Sequence, residues 1–394
     1  MSLTMPLVLG WISLISQAGA EPPEVKRGYT IPVLDLSADA DRVTTVDRDP
    51  RSPLGPSSTV LLDDGQTMII VYAKGTGPAP GPIVMRRSTN GGKTWSARLS
   101  TPRSWFAAKD IPTIHRLTDA EGKKRLIVFS GQYPIRMASS EDDGAKWSEL
   151  TPIGEFGGLT AMSSVIALKT GPGHYMALFH DDGKHFTLDP RKKGLGFRVY
   201  KTVTTDGGRT WGTPEMIATD KYANLAEPCA IRSPDGKQIA VLLRESRRFK
   251  PQDDPNDPKE LMNSFVIFSD DEGKTWSKPR ELPGALTGDR HVAVYAPDGR
   301  LVIGFRDTTH ESKTRGDWVA WVGQYDDIVK GTEGQYRVRL RGNFQTIECG
   351  YTGLSLLPDG TFVATSYGNW SPNAQPYIVS VRFTLPELDK MLKR

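Results

Sequence analysis

The chain has 394 residues, and its 50 basic and 46 acidic side chains leave a net charge of only +4. That balance argues against a nucleic-acid partner or a basic membrane-binding surface. Two cysteines exclude a disulfide-built scaffold, while 39 glycines and 29 prolines suit many short strands joined by turns.

Residues 1–20, MSLTMPLVLGWISLISQAGA, carry no charged side chain. An apolar core from Pro6 to Leu14 runs into Ala18-Gly-Ala20 and reads as a secretory signal peptide, although its start lacks the usual Lys or Arg. The apolar run is too short to span a bilayer. A mature chain beginning near Glu21 is therefore expected, secreted or periplasmic, with residues 21–394 forming one domain.

Six hairpins follow in order, each an alternating strand, a Gly-containing corner and an apolar return strand. They start at Pro56, Asp110, Ala161, Glu227, Arg290 and Gly350. After the first four comes a second motif, Ser/Thr-x-Asp/Asn-x-Gly-x-x-Trp. It begins at Ser88, Ser140, Thr204 and Ser269 and ends at Trp95, Trp147, Trp211 and Trp276. The hydroxyl, the Asx side chain, the glycine and the tryptophan describe a self-contained turn between a third and a fourth strand. Repetition at this period marks a repeated supersecondary unit. Six such units predict an all-β, six-bladed β-propeller with four-stranded antiparallel blades. Unit five has Trp318-VAWVGQYDD where its box should stand. Unit six ends at Tyr377-IVSVRFTL without an outer strand, and Tyr29-TIPVLDLS is the segment expected to supply it and close the ring.

Antiparallel pairing puts first-strand starts and second-strand ends on one face, opposite the corners and boxes. That face collects Lys74, Asp110, Gln132, His180, Asp181, Glu227, Arg244, Arg290, His291, Arg306, Asp307 and Tyr351, a dense ionisable set near the propeller axis. Two longer loops, 183–197 and 246–260, rise over the same rim. Converging arginines suit a planar carboxylate, which the guanidinium fork binds in bidentate fashion. A tyrosine facing a glutamate suits a phenol that loses its proton as it attacks.

These residues and the four boxes resemble the sialidase (neuraminidase) superfamily with its Asp-box repeats, over essentially the whole mature chain. The resemblance implies a six-bladed propeller that hydrolyses α-linked sialic acids, or a related acidic sugar, with retention through a Tyr nucleophile. A neutral phenol approaches an anomeric carbon bearing a carboxylate without the repulsion that Asp or Glu would meet. By that resemblance Tyr351, in Cys-Gly-Tyr-Thr-Gly-Leu, is the nucleophile and Glu227, in Ala-Glu-Pro, its base. Arg244 and Arg315 match the second and third carboxylate-binding arginines, with Arg306 close behind Arg315. At blade one the family's Arg-Ile-Pro is replaced by Leu54-Gly-Pro56, and Arg51 lies out of register. The blade-one loop, Gly75-TGPAPGP, lacks the acid/base aspartate, for which Asp110 is the nearest substitute. Arg290, His291 and His180 are added as substrate-binding candidates.

No cofactor and no metal are expected, although His180-Asp-Asp182 has the composition of a ligand set. The expected partner is an acidic glycan or glycoconjugate. Nucleic acid is not expected, nor an integral membrane segment after signal cleavage, and the chain should be monomeric. Two other readings stay open: a propeller lyase or hydrolase acting on uronate-containing glycans, and a non-catalytic glycan-binding propeller. Glu227–Arg244 also reads as a plain blade-edge ion pair, and Tyr351 as a packed aromatic.

Overall fold

The computed structural model describes residues 26–75, 81–108, 111–186, 196–246, 261–345 and 348–393. The expected signal peptide, Asp110 and most of the two long rim loops lie outside those residues.

Two strands precede the first blade, β1 (Val33–Asp35) and β2 (Val43–Asp47). Blade one is β3 (Leu54–Leu61), β4 (Met68–Lys74) and β5 (Ile83–Ser88). Blade two is β6 (Thr113–Thr118), β7 (Lys124–Ser130), β8 (Arg136–Ser140) and β9 (Thr151–Pro152). Blade three is β10 (Leu159–Ala167), β11 (Tyr175–Asp181), β12 (Arg198–Thr204) and β13 (Glu215–Ala218). Blade four is β14 (Leu225–Arg232), β15 (Ile239–Glu245), β16 (Phe265–Ser269) and β17 (Arg280–Glu281). Blade five holds β18 (Gly288–Tyr295), β19 (Leu301–Asp307), β20 (Trp318–Gly323) and β21 (Tyr336–Arg341). Blade six holds β22 (Gly353–Leu356), β23 (Phe362–Gly368) and β24 (Tyr377–Phe383). Within each blade successive strands are antiparallel neighbours, giving the all-β six-bladed propeller that the hairpin count predicts. In blade one the fourth lane is irregular: Ser96 and Leu99 donate their backbone N–H groups to Arg87 and Met85 of β5.

The boxes seat one blade on the next. In each, the glycine N–H donates to the leading hydroxyl, at 2.9 Å for Gly92–Ser88 and 2.8 Å for Gly273–Ser269. The Asx carboxyl or amide oxygen accepts from the backbone four residues on, as Asp271 does from Thr275 at 2.8 Å. The glycines have φ between 76° and 86°, a region where a side chain is strained. Each packs on a preceding blade: a Cβ on Gly144 would fall 2.5 Å from Ile69, on Gly208 2.5 Å from Ile127, and on Gly273 2.9 Å from Met176. Gly92 meets Val363 of blade six in the same way and so continues the ring across its seam.

Blades five and six, which lack a box, use a short helix at that corner. These are α1 (Tyr325–Lys330) after β20 and α2 (Leu385–Leu392) after β24. Both start with a capping box, Gln324 with Asp327 and Thr384 with Glu387.

Ring closure differs from expectation. The outer strand of blade six is β2, antiparallel to β24 with Val43 opposite Val381. The Tyr29 segment instead adds a fifth, parallel strand, β1, to the outer edge of blade five, with Leu34 opposite Val338. The reason is connectivity. The strand that closes blade six must end on the face where β3 begins, and β2 reaches it through residues 48–53 alone. Val46 and Asp47 of β2 are buried, whereas β1 is largely exposed.

Candidate active site

The face opposite the boxes is built from first-strand starts, and these are bent out of regular pairing. The register slips between Ala226 and Cys229 in β14, between Asp289 and Val292 in β18, and between Leu159 and Ser164 in β10. At the slips sit Thr160, Glu227 and Arg290, with φ of 47°, 49° and 57°. Non-glycine residues rarely adopt this region, and bulges of this kind re-aim side chains beside functional sites. Glu227 also precedes Pro228, which narrows its conformations further.

The bulge points Glu227 at blade six. The Tyr351 hydroxyl donates to Glu227 Oε1. Arg244 Nη1, from the end of β15, lies 2.8 Å from the same oxygen and 3.0 Å from the Tyr351 hydroxyl. Glu227 and Tyr351 are 3 % and 6 % exposed. Glu227 Oε2 is buried without a hydrogen-bond partner among the described residues. Burial alone would raise the Glu227 carboxyl, but Arg244 and the Tyr351 hydroxyl hold it below the usual range. Burial, reinforced by the Glu227 charge, pushes the Tyr351 phenol up against the pull of Arg244 and Arg306. The resting proton therefore sits on the tyrosine, beside an ionised carboxylate placed to receive it.

Asp289 and Arg306 complete the cluster from blade five, opposite each other across β18 and β19. Asp289 Oδ2 accepts from Arg306 Nε at 3.0 Å and Nη2 at 2.5 Å, while Oδ1 lies 2.8 Å from Arg244 Nε. The Arg306 guanidinium also sits over the Tyr351 ring, 5.4 Å from its centroid. Behind Tyr351, Tyr367 packs edge-on at 6.1 Å and donates to Glu348 at 3.3 Å. His180, from the end of β11, accepts the Glu227 backbone N–H on Nδ1 at 3.3 Å. Burial lowers His180 to about 4, so the ring is neutral at ordinary pH and can accept.

Four of the residues picked from sequence are thus joined directly, Glu227, Tyr351, Arg244 and His180, and Arg306 stands over the tyrosine. Arg290 and His291 sit elsewhere. They line a cavity of about 200 Å³ along the inner strands, with Ser58, His115 and Cys229. There Arg290 donates to the Ser163 carbonyl at 2.9 Å, and His291 Nε2 lies 2.9 Å from the Leu286 carbonyl. Arg315 is exposed, its guanidinium 3.5 Å from the His310 carbonyl, and no bond among the described residues ties it to the Tyr351 cluster. Arg306 occupies the place expected of it, because it ends a second strand as Arg244 does, whereas Arg315 lies in the loop beyond. At blade one, the position that the resemblance gives to an arginine is held by Leu54, buried in one apolar cluster with Tyr72 and Tyr351.

His180, Asp181 and Asp182 diverge. Asp181 accepts the backbone N–H groups of Gly183, His185 and Phe186, and Asp182 pairs with Lys184 at 2.6 Å. Among the described residues no group of three or more His, Cys, Asp or Glu is arranged to hold a metal ion. None of their helices is long and apolar enough to cross a membrane.

Sequence reading passed over Asp289, Tyr367 and Glu348. Counting could not recover Asp289: back from the Asp-Gly corner, the register that pairs Tyr295 with Leu301 sets Arg290 opposite Arg306, and only the slip between Asp289 and Val292 brings Asp289 there.

A family model for the BNR repeat-like domain matches residues 40–250 and 198–349. No curated protein sequence matches the chain. Among solved structures, a protein of unknown function from Dyadobacter fermentans DSM 18053 is similar at 15 % identity and a TM-score of 0.65. The match covers 86 % of this chain and 97 % of that one. The leech intramolecular trans-sialidase, complexed with 2,7-anhydro-Neu5Ac, is similar at 14 % identity and a TM-score of 0.59, covering 88 % and 70 %. The intramolecular trans-sialidase of Ruminococcus gnavus is similar at 14 % and 0.57, covering 89 % and 99 %. At such identities the likeness carries the fold alone.

Proposed function

The chain belongs to the BNR repeat-like domain family, and on that premise we propose that it is a sialidase-like retaining exo-glycosidase. Its substrate is an α-linked sialic acid or a related acidic sugar. One observation carries the reading: a buried Tyr351 hydroxyl donates to Glu227, with Arg244 touching both. A structural tyrosine needs one partner. A carboxylate beside a phenol, with a guanidinium on the phenol oxygen, is the arrangement of a nucleophile with its base.

In this reaction the Tyr351 oxygen attacks the anomeric carbon as its proton passes to Glu227. The bond to the leaving oxygen breaks, and that oxygen takes a proton from a general acid, the part proposed for Asp110. Water then attacks the tyrosyl-linked sugar and gives its proton to that same acid, left as a carboxylate by the first step; Tyr351 recovers its proton from Glu227, and the sugar leaves with its original configuration. Arg244 supports the developing charge on the phenol oxygen, and Arg306 does so through the ring face. The sugar carboxylate is met from the same side by these two arginines. Export forms part of the proposal, resting on the uncharged, apolar residues 1–20.

The test is release of free sugar from a panel of α-sialosides and related 2-keto-3-deoxy glycosides by the purified protein, with Tyr351→Phe in parallel. Turnover by the wild type and a loss of at least about a hundredfold in the variant support the reading. An unsaturated product from uronate polymers would replace it with the lyase, and saturable binding without turnover with the binding module.

A further inference from the structure

Asp289 is a carboxylate of the cluster that the proposed reaction does not use. It is buried, and its two oxygens divide between the two arginines that flank Tyr351. Arg244 faces Asp289 as an ion pair, with Nε 2.8 Å from Oδ1 but not aligned as a hydrogen bond, and gives its Nη1 to Glu227 and the tyrosine, while Arg306 turns its Nε and Nη2 to Asp289. We infer that Asp289 is the charge-balancing, specificity-setting residue of this site, a built-in carboxylate that shares Arg244 and Arg306 with the carboxylate of an acidic sugar. This rests on the proposed function, whose substrate class it deepens.

The charges make the case. Arg244 and Arg306 bring two positive charges, and Glu227 and Asp289 two negative ones, so the four cancel. An incoming carboxylate meets a site already satisfied from within, in surroundings where a single charge counts for much more than in water. A sialoside and the free sugar it releases carry the same carboxylate. A tight grip on it would hold substrate and product alike and contribute little to the chemical step. Asp289 holds that grip down while keeping both guanidinium groups against Tyr351. A residue that only braced the arginines would behave oppositely: its loss would let them drift and weaken every ligand.

The sign of one measurement separates the two roles. Calorimetric titration of the full chain with N-acetylneuraminic acid and with its methyl ester compares a ligand that has the carboxylate with one that lacks it. Asp289→Asn is expected to tighten the acid about tenfold and to leave the ester within about twofold of wild type. Asp289→Glu, which keeps the charge, should leave the preference for acid over ester near that of wild type. Weaker acid binding in Asp289→Asn, or equal shifts for acid and ester, overturns the inference, as does binding of neither ligand by any variant. If Asp289→Asn does not fold, Asp289→Ser carries the same expectation, with the melting temperature as the control. These titrations need no turnover. A Tyr351→Phe protein that still hydrolyses substrate would sink the reaction while leaving the acid-to-ester shift to stand or fall separately.

Discussion

Acid should destabilise this propeller well above the pH at which its carboxylates protonate, and His180 is the main reason. The ring is enclosed at the end of β11, with Phe197 against it at 5.4 Å and the Glu227 N–H on Nδ1. Burial is the largest influence and lowers it to about 4 from an ordinary 6.5. Glu227 and Asp182 favour its protonation, while Arg244 and Arg290 oppose it. A depressed histidine binds its proton in the unfolded chain first. Its contribution to stability is therefore complete above pH 6.5 and is lost as pH falls towards 4. A displacement of this size is worth on the order of 3 kcal/mol, against a usual total of roughly 5–15 kcal/mol. His115 is lowered to about 4 as well, again mainly by burial. It borders the inner cavity, however, where water can soften the penalty, so it should contribute less. The depressed carboxylates enter only at the acid end of this window: Glu227, Asp206 and Asp271, lowered to about 2, begin to lose their contributions as pH falls through about 5 to 4.

Urea denaturation at intervals from pH 7 to 4.5 measures the effect directly. Near pH 5 His180 should steepen the dependence by about 1.4 kcal/mol per pH unit. His180→Asn cannot titrate there, yet its Oδ1 can still accept the Glu227 N–H, so it should remove about one proton's worth of slope. A wild-type stability that is flat between pH 6.5 and 4.5, or an unchanged slope in His180→Asn, would refute the reasoning.

Three further outcomes follow from particular contacts. Gly208→Ala places a Cβ 2.5 Å from Ile127 at φ 86°; a loss of about 2–3 kcal/mol is expected, measured by denaturant midpoint at constant m-value. Deletion of residues 21–37 removes the added strand β1, the Arg27–Glu281 ion pair and the Tyr29 ring under Arg337, and should lower the melting temperature but leave a cooperative melt, whereas deletion through Asp47 also removes the seam strand of blade six and should abolish it. Arg244→Ala should lower turnover by about a hundredfold or more. Arg315→Ala should leave it within about twofold, since Arg315 is exposed and, among the described residues, bonds within its own loop.

Legibility in the sequence tracks how local each feature is. A box can be read because its hydroxyl, Asx, glycine and tryptophan satisfy one another within eight residues, and the packing of Gly144 on Ile69 or Gly208 on Ile127 follows from repeating it. The closing strand could not be assigned that way. Residues 29–37 and 43–47 are both short extended runs, and only their separation from β3 decides which one faces β24. The site divides along the same line. Glu227, Arg244 and Tyr351 stand at strand ends that hairpin counting can place, and Arg306 takes precedence over Arg315 once the strand end is counted strictly. The positive φ at Glu227 leaves no mark on the residue itself, since glutamate before proline ordinarily reads as extended chain. It holds because the bulge, the acceptor on His180 and the pull of Arg244 act together from two blades. Strain at Glu227, Arg290 and Thr160, at the starts of three successive blades, is thus a property of the closed ring. A strand excised from it would relax, and the tyrosine and its base would part.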